Sequence, residues 1–437
     1  MSRFLPAAVA AIAVASLAAC SDAPLAPSET LTVPESPVLS VSQSAPEQVM
    51  AGEIIVKVRD GASAEAVGRD HGLAFGYQGY RNSFAVLRGA GGAEHANARA
   101  LKLDARVVYA EPNYLRQPTT INPNLWAFYN PGGLNMKYSR GRYSGQSIGS
   151  SYASVVDADE DNVEGYAAGG TDVVIGSIDT GVDFSHSEFT GRLIAGRDWY
   201  SNDADPSDDN GHGTHTTGTM AGSTVGVAGV AGAAAHVNVY VQRVCGKRGC
   251  PTAAIVSAIR AAADKGVVAM NLSLGGSSES QAEADAIAYA IGKSSLVIAS
   301  AGNDGTSTIS CPACDPNAIS VASSTWQDRL ASYSNFGAGL DITAPGGNCY
   351  SNTTPEGCIY SAYLGGGYAW LQGTSMAAPQ VTGTAAIVAS TSTLRGSALR
   401  ARILGTADAV DPAFGAGRLN SYKAVTNGGS CTVYPQC

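Results

Sequence analysis

The stretch VVIGSID, Val173–Asp179, is a nearly unbroken apolar run closed by a carboxylate. A strand with one wet face alternates apolar and polar residues, so this run fits a strand covered on both faces. Four more runs share its character: HVNVYVQRV (His236–Val244), VVAMNLSL (Val267–Leu274), SLVIASAG (Ser295–Gly302) and AISVAS (Ala318–Ser323). Between them lie two segments with helical spacing, TAAIVSAIRAAADKG (Thr252–Gly266) and QAEADAIAYAIGK (Gln281–Lys293). Strands alternating with helices predict an α/β fold, a mostly parallel sheet flanked by helices. Functional loops of such a sheet gather at the carboxyl ends of its strands.

Four chemically useful residues fall at such ends. Asp179 closes the first run. His212 lies in GHGTHTTG and Ser375 in LQGTSMAAPQVTG, each a glycine turn leading into a helical run, and Asn303 follows ASAG. A serine hydroxyl is a weak nucleophile near neutral pH. It needs an adjacent base, and the base needs a partner that fixes its tautomer. Asp, His and Ser occur here in that order. Other readings are weaker. A zinc site on His212 and His215 would want a third ligand, and the glutamate of H-E-x-x-H is missing. An aspartic protease needs two carboxylates sharing a proton, and the chain has no second D-T-G or D-S-G. A lone G-T-S would be an ordinary turn at a helix start. The one G-x-S-x-G string, GQSIG at 145–149, lies in a Gly-, Ser- and Tyr-rich stretch without the strand and helix that an α/β-hydrolase elbow needs, which argues against a dedicated esterase.

Taken together, D-T-G at 179–181, H-G-T-H at 212–215 and G-T-S-M-A-x-P at 373–379 resemble the three signatures of the subtilisin-like serine proteases. The likeness covers about residues 172–426. It implies a serine endopeptidase in which Asp179 orients the imidazole, His212 is the base and Ser375 the nucleophile. Asn303 matches the family's side-chain oxyanion donor, and the Ser375 N–H would be the second. Ser273, Leu274 and Gly275 resemble the strand that pairs with an extended peptide substrate, while Ala301 and Gly302 would line the primary specificity pocket. That pocket carries no evident charge, so apolar or broad preference is expected. His215 resembles a structural histidine. His186 and His236 read only as a surface loop and a strand start. The resemblance implies no cofactor for catalysis. It does imply a weak structural calcium site at Asp341 with the backbone oxygens of Pro316 and Ala318. AGSTVGVAG (Ala221–Gly229) is too short and too poor in oxygen for the family's tight calcium loop, and looks more like the proteinase K branch. The competing class is a binding protein on the same fold with a dead site; the complete set of motifs argues against it.

The rest of the chain reads as packaging. Residues 1–20 have a positive start at Arg3 and an apolar Leu5–Ala19, which predicts a secretory signal; Leu17-Ala18-Ala19-Cys20 resembles a bacterial lipobox, which implies a lipid on Cys20, the alternative being an ordinary A-x-A-type cleavage nearby with Cys20 incidental. Residues 21–47, rich in Pro, Ser and acids, are a linker. Residues 48–116 follow a β-α-β-α-β order: strands at Gly52–Arg59, Tyr80–Arg88 and Ala105–Tyr114, helices at Ser63–Gly72 and Ala93–Asp104. One more strand hidden in Leu73–Gly79 would complete a ferredoxin-like unit. In the second helix Ala96, Ala100, Leu101 and Leu103 are the expected apolar side. This unit resembles the inhibitor-type propeptide of the family, with a cut after Tyr114 and before about Trp126. Residues 117–171 form an extension without firm elements, 172–426 the catalytic domain and 427–437 a tail.

Setting Cys20 aside, eight cysteines remain in four close pairs: Cys245/Cys250, Cys311/Cys314, Cys349/Cys358 and Cys431/Cys437. After a signal peptide an even count predicts disulfides, with near neighbours paired. Cys311-x-x-Cys314 could instead be redox-active or half a zinc site. Charged residues are 14% and the formal charge is −9, with no Lys/Arg cluster, which argues against a nucleic-acid partner. An exported or lipid-anchored monomer acting on extended peptides, and on its own propeptide, is the expectation.

Overall fold

Strand β5 (Val173–Asp179) is an inner strand of a seven-stranded sheet, next to the central one. The computed structural model describes residues 49–118 and 170–428, except 224, 228–235, 326–328, 350–357 and 410. The signal with Cys20, the linker, residues 119–169 and the tail with Cys431 and Cys437 therefore lie outside the described residues.

The N-terminal unit runs β1 (Val49–Val58), α1 (Ala64–Asp70), β2 (Ala74–Gln78), β3 (Ala85–Arg88), α2 (Glu94–Lys102) and β4 (Val107–Pro118). Its antiparallel sheet has the order β4-β1-β3-β2, and β2 is the strand expected in Leu73–Gly79. Two expectations need correction. Tyr80–Asn82 form a short helical turn rather than a strand start, with Arg81 and Asn82 at φ of 47° and 57°, outside extended geometry. Helix α2 buries Glu94, Ala98 and Leu101, while Ala96 and Ala100 are exposed and Leu103 is 88% exposed. An acid occupies an inward position because its carboxylate accepts the N–H of Gly52 at 2.6 Å and of Gly92 at 2.9 Å. A hydrophobicity count cannot see that.

The larger sheet continues with β6 (Leu193–Asp198), β7 (Val237–Arg243), β9 (Ala269–Leu272), β11 (Leu296–Ser300), β12 (Ile319–Ser324) and β13 (Ile342–Pro345). Its order is β13-β12-β11-β9-β5-β7-β6 and every pairing is parallel. The inner strands are those read from continuous apolar runs. The two edge strands were missed. β6 is only partly buried, and β13 has four residues ending in Pro345, which suits an edge.

Helix α3 (His212–Ala221) follows β6, while α4 (Thr252–Lys265) and α5 (Gln281–Gly292) flank β9 in the chain. Helix α4 buries Ile255, Val256 and Ile259 beneath the sheet and stops at Gly266, whose φ of +82° ends the helix cheaply only for glycine. Each such side chain removed from water contributes about 1.5–3 kcal/mol. Long helix α6 (Thr374–Thr391) is buried along nearly its whole length, and α7 (Gly396–Gly405) and α8 (Ser421–Thr426) complete that layer. Two short strands, β8 (Cys250–Pro251) and β10 (Leu274–Gly275), belong with the small sheet. Both pair with the end of β4. A hairpin, β14 (Ile359–Tyr363) with β15 (Gly367–Leu371), covers α3. Among the described residues no helix is long and apolar enough to cross a membrane.

Candidate active site

The end of β5 and the start of α3 are locked together. His212 Nδ1 lies 2.7 Å from Asp179 Oδ1, and the two side chains are 4% and 1% exposed. The same carboxylate accepts from Thr180 N at 2.7 Å and from Thr216 Oγ1 at 3.2 Å. With Nδ1–H donating to Asp179, the other ring nitrogen is an acceptor. That Nε2 is buried and has no hydrogen-bond partner. A buried lone pair without a donor is the property a base for a serine hydroxyl needs.

Glycine makes this approach achievable. A Cβ on Gly213 would meet Gly181 O at 2.1 Å, so any side chain there would push α3 off the strand end. Asp208 adds a clamp. It accepts from Thr180 Oγ1 at 2.9 Å, from the N–H groups of Asn210, Gly211 and Thr214, and from Thr214 Oγ1 at 2.6 Å. Burial raises its pKa, and these donors oppose the rise.

Ser375 stands in the first turn of α6, where backbone N–H groups have no partner within the helix. Its Oγ donates to Ser273 O at 3.4 Å. Pro379 sits four residues on and has no N–H to offer the Ser375 carbonyl. Ser273 Oγ takes that place at 2.8 Å, and Asn271 Nδ2 donates in turn to Ser273 Oγ at 2.9 Å. Proline in mid-helix is thus matched by a side chain from the neighbouring strand. Asn303 is held by its carbonyl end. Its Oδ1 accepts from Thr374 N at 2.9 Å and Thr374 Oγ1 at 3.0 Å, which turns the amide so that its NH2 is the donating end. Such a set can hold a base, a nucleophile and a fixed N–H donor for a developing oxyanion.

A profile described as the Subtilase family matches residues 170–420. The chain belongs to this family. It is 38% identical over 351 residues to the thermophilic serine proteinase of Bacillus sp. strain AK1, a match covering 79% of each chain. It is also 38% identical over 262 residues to thermitase of Thermoactinomyces vulgaris, covering 59% of this chain and 90% of thermitase. Among solved structures, fervidolysin of Fervidobacterium pennivorans, a keratinolytic enzyme related to subtilisin, matches in fold at a TM-score of 0.66 and 24% identity. That match covers 87% of this chain and 62% of fervidolysin. This subtilase is a serine endopeptidase.

In this subtilase the N-terminal unit lends the end of its last strand to two short strands of the larger unit. The end of β4 pairs antiparallel with β10, Gln117 opposite Gly275 and Pro118 opposite Leu274. Its other edge pairs with β8, Leu115 opposite Pro251 and Arg116 opposite Cys250. A chain segment is thus sandwiched between two short strands, as in β-augmentation. Both strands are braced. Cys250 of β8 is bonded to Cys245, and Cys311, bonded to Cys314, exchanges backbone hydrogen bonds of 2.8 and 2.9 Å with Gly276 beyond β10. Cys349 is bonded to Cys358. These are the near-neighbour pairs, and with Cys311 bonded to Cys314 neither sulfur is a free thiolate for zinc. Beside β10, Ala301 is buried and Gly302 has φ +106°. A Cβ on Gly302 would meet Ser310 Oγ and Asn335 Nδ2, both at 2.3 Å, so the wall there is polar but uncharged.

Sequence reading missed the anchors behind this segment. Glu111 of β4 accepts from Ser280 Oγ at 2.6 Å, Gln281 N at 2.9 Å and Ala282 N at 3.1 Å, capping α5. Burial raises the Glu111 pKa against the pull of these donors. Asn113 Oδ1 accepts from Ala253 N at 3.0 Å at the start of α4. Lys57–Asp285 and Arg81–Asp264 add ion pairs at 3.0 Å each. A single E-P-N triplet gives no sign that its caps serve helices 140 and 170 residues away.

His186 is a correction. It is 1% exposed rather than on a surface loop. Its Nε2 lies 2.8 Å from Gly367 O, and its ring packs against Phe189 and Tyr368. His236 does precede β7 and bonds Asp172 at 3.2 Å. His215 is fully buried. Its Nε2 lies 3.2 and 3.1 Å from the carbonyls of Ile359 and Ala369 on the hairpin, and its Nδ1 has no partner. Burial first, then the charge of His212, pushes its pKa down to about 3. An unfolded histidine takes its proton near pH 6.5. Between these values the unfolded chain binds the extra proton, so stability is full above about pH 6.5 and falls as the pH drops towards 3. The slope is about 1.4 kcal/mol per pH unit, or roughly 3 kcal/mol by pH 4.5. Denaturant unfolding of a Ser375→Ala chain at several pH values should show this slope, and His215→Asn should reduce it by about one proton. An unchanged slope would remove His215 from the account.

The calcium expectation does not fit. Asp341 Oδ1 and Ala318 O are both taken by the Arg400 guanidinium, at 2.6 and 2.7 Å. Pro316 lies on the same loop before β12. Among the described residues no group of three or more His, Cys, Asp or Glu is placed to hold a metal ion.

Proposed function

We propose that this subtilase is an exported zymogen that cuts away its own N-terminal unit and then hydrolyses peptide bonds in extended substrates. Ser375 Oγ attacks the scissile carbonyl as His212 Nε2 takes the hydroxyl proton. Asp179 holds the imidazole in the right tautomer and stabilises the imidazolium. The Asn303 NH2 and the Ser375 N–H stabilise the oxyanion. As the C–N bond breaks, His212 gives the proton to the leaving amine and the acyl group stays on Ser375. Water, deprotonated by the same His212, then releases the acid. Ser273, Leu274 and Gly275 bind the substrate backbone, and Ala301 with Gly302 favours apolar or small side chains at the bond cut. Catalysis uses no cofactor.

What carries the zymogen reading is the segment between β10 and β8. Its register supports a particular cut. Pro118 faces Leu274, and the next residue of β10's chain is Ser273, whose carbonyl lies 3.4 Å from Ser375 Oγ. The described register stops there, one residue short of Ser273, and we take the bond just beyond it, between Thr119 and Thr120, as the one hydrolysed. The apolar N-terminus ending in Cys20 supports export with a lipid anchor, which a Cys20→Ser chain should lose by appearing in the soluble fraction.

The test is expression of the full chain beside Ser375→Ala, with fluorophosphonate labelling and N-terminal sequencing of the product. Labelling of the wild type alone, with a new N-terminus at Thr120, is expected. A matured but unlabelled wild type would sink the protease reading. A labelled product beginning elsewhere would leave the nucleophile standing and overturn the register argument.

A further inference from the structure

We infer that Arg400 takes the place of a structural cation at the edge of the sheet, so that the chain carries its own positive charge where calcium was expected. Asp341 directly precedes β13 and Ala318 directly precedes β12, and these strands are neighbours. Arg400 is on α7. Its Nη2 donates to Asp341 Oδ1 at 2.6 Å and its Nη1 to Ala318 O at 2.7 Å. The other carboxylate oxygen accepts from Ser320 N at 2.9 Å and Ser320 Oγ at 3.1 Å. Every oxygen of Asp341 thus has a donor from the protein.

The chemistry excludes sharing. Calcium draws 6–8 oxygen ligands into its shell. A guanidinium offers only donors and no lone pair, and it carries a fixed charge that repels a second cation. It also does what a metal would do there. One planar fork ties two strand ends to one helix, in charge-assisted bonds that are shorter and stronger than neutral ones. The side chains of Arg400 and Asp341 are 24% and 22% exposed, so solvent weakens the pair without removing it. Unlike a bound metal, the clamp cannot be lost to a chelator.

The test uses the full chain carrying Ser375→Ala, which prevents self-digestion, with melting followed in calcium chloride and in EDTA. Arg400→Ala is expected to lower Tm by about 5 °C in EDTA. Calcium should then raise Tm more in Arg400→Ala than in the parent, because the vacated space is lined by a carboxylate and a carbonyl. The added response should vanish in Arg400→Ala/Asp341→Asn. Equal calcium responses in parent and Arg400→Ala would overturn the inference. Should Arg400→Ala fold in neither condition, Asp341→Asn decides. A calcium response equal to the parent's supports the guanidinium clamp, and one abolished by Asp341→Asn means that Asp341 holds calcium and the inference fails.

Discussion

Replacing Ser375 or His212 by Ala is expected to lower kcat by about 10⁶-fold, and replacing both is expected to lower it no further. The hydroxyl is useful only while a base can take its proton, and the base has nothing to act on without the hydroxyl. In this fold the imidazole has one lone pair to give. Nδ1 is committed to Asp179 at 2.7 Å, and Nε2 is buried without a partner. Asp179→Asn should cost less, about 10⁴-fold. An amide can still accept from Thr180 N, but it no longer selects the Nδ1–H tautomer. The measurement is single-turnover hydrolysis of a peptide anilide, with the N-terminal unit removed through an engineered site for an unrelated protease. Additive losses in the double variant would mean that Ser375 and His212 do not work as one unit.

Much of this site was legible because its residues sit where the chain changes element. Asp179 ends a strand whose apolar run is unmistakable, and Gly211 and Gly373 announce the helices that carry His212 and Ser375. Local signals carried the inner strands for the same reason: burial on both faces leaves no polar alternation. What was illegible depends on long-range pairing. Leu193–Asp198 is a half-wet edge strand, so its composition says little. His186 looks polar and local, yet the hairpin carbonyl of Gly367 makes its burial tolerable. Glu94, Glu111 and Asn113 are polar residues placed inward because distant or neighbouring N–H groups await them. A buried polar side chain with its partners supplied costs little; without them it would cost about 1–3 kcal/mol.

The anchoring of β4 also bears on how the zymogen would be held. Glu111 and Asn113 place acceptors at the starts of α5 and α4, where orphan N–H groups and the helix dipoles favour them. The same strand then runs between β10 and β8. Capping the helices and lying between β10 and β8 are thus one act of a single strand, and a cut beyond its end leaves both on the same piece. If the proposed cut after Thr119 occurs, the helix caps remain, and the severed unit should stay bound as an inhibitor until it is itself degraded.

Asn303 provides the second large effect. Asn303→Ala is expected to reduce kcat about 10²–10³-fold with little change in KM, a loss of roughly 2.7–4 kcal/mol in the transition state. The asymmetry follows from when the bond is made. A ground-state carbonyl is not yet an oxyanion, so an N–H aimed at the developing charge acts on the barrier and hardly on binding. The donor must also be held still. Thr374 does this twice, through its N–H at 2.9 Å and its hydroxyl at 3.0 Å to the same Oδ1. Thr374→Ser keeps both bonds and should be nearly silent. Thr374→Val keeps only the backbone bond, and a loss of about tenfold, the order of one hydrogen bond's net worth, is expected. If Asn303→Ala instead raised KM and left kcat alone, the side chain would be a substrate-binding group and the oxyanion would rest on the backbone at the start of α6.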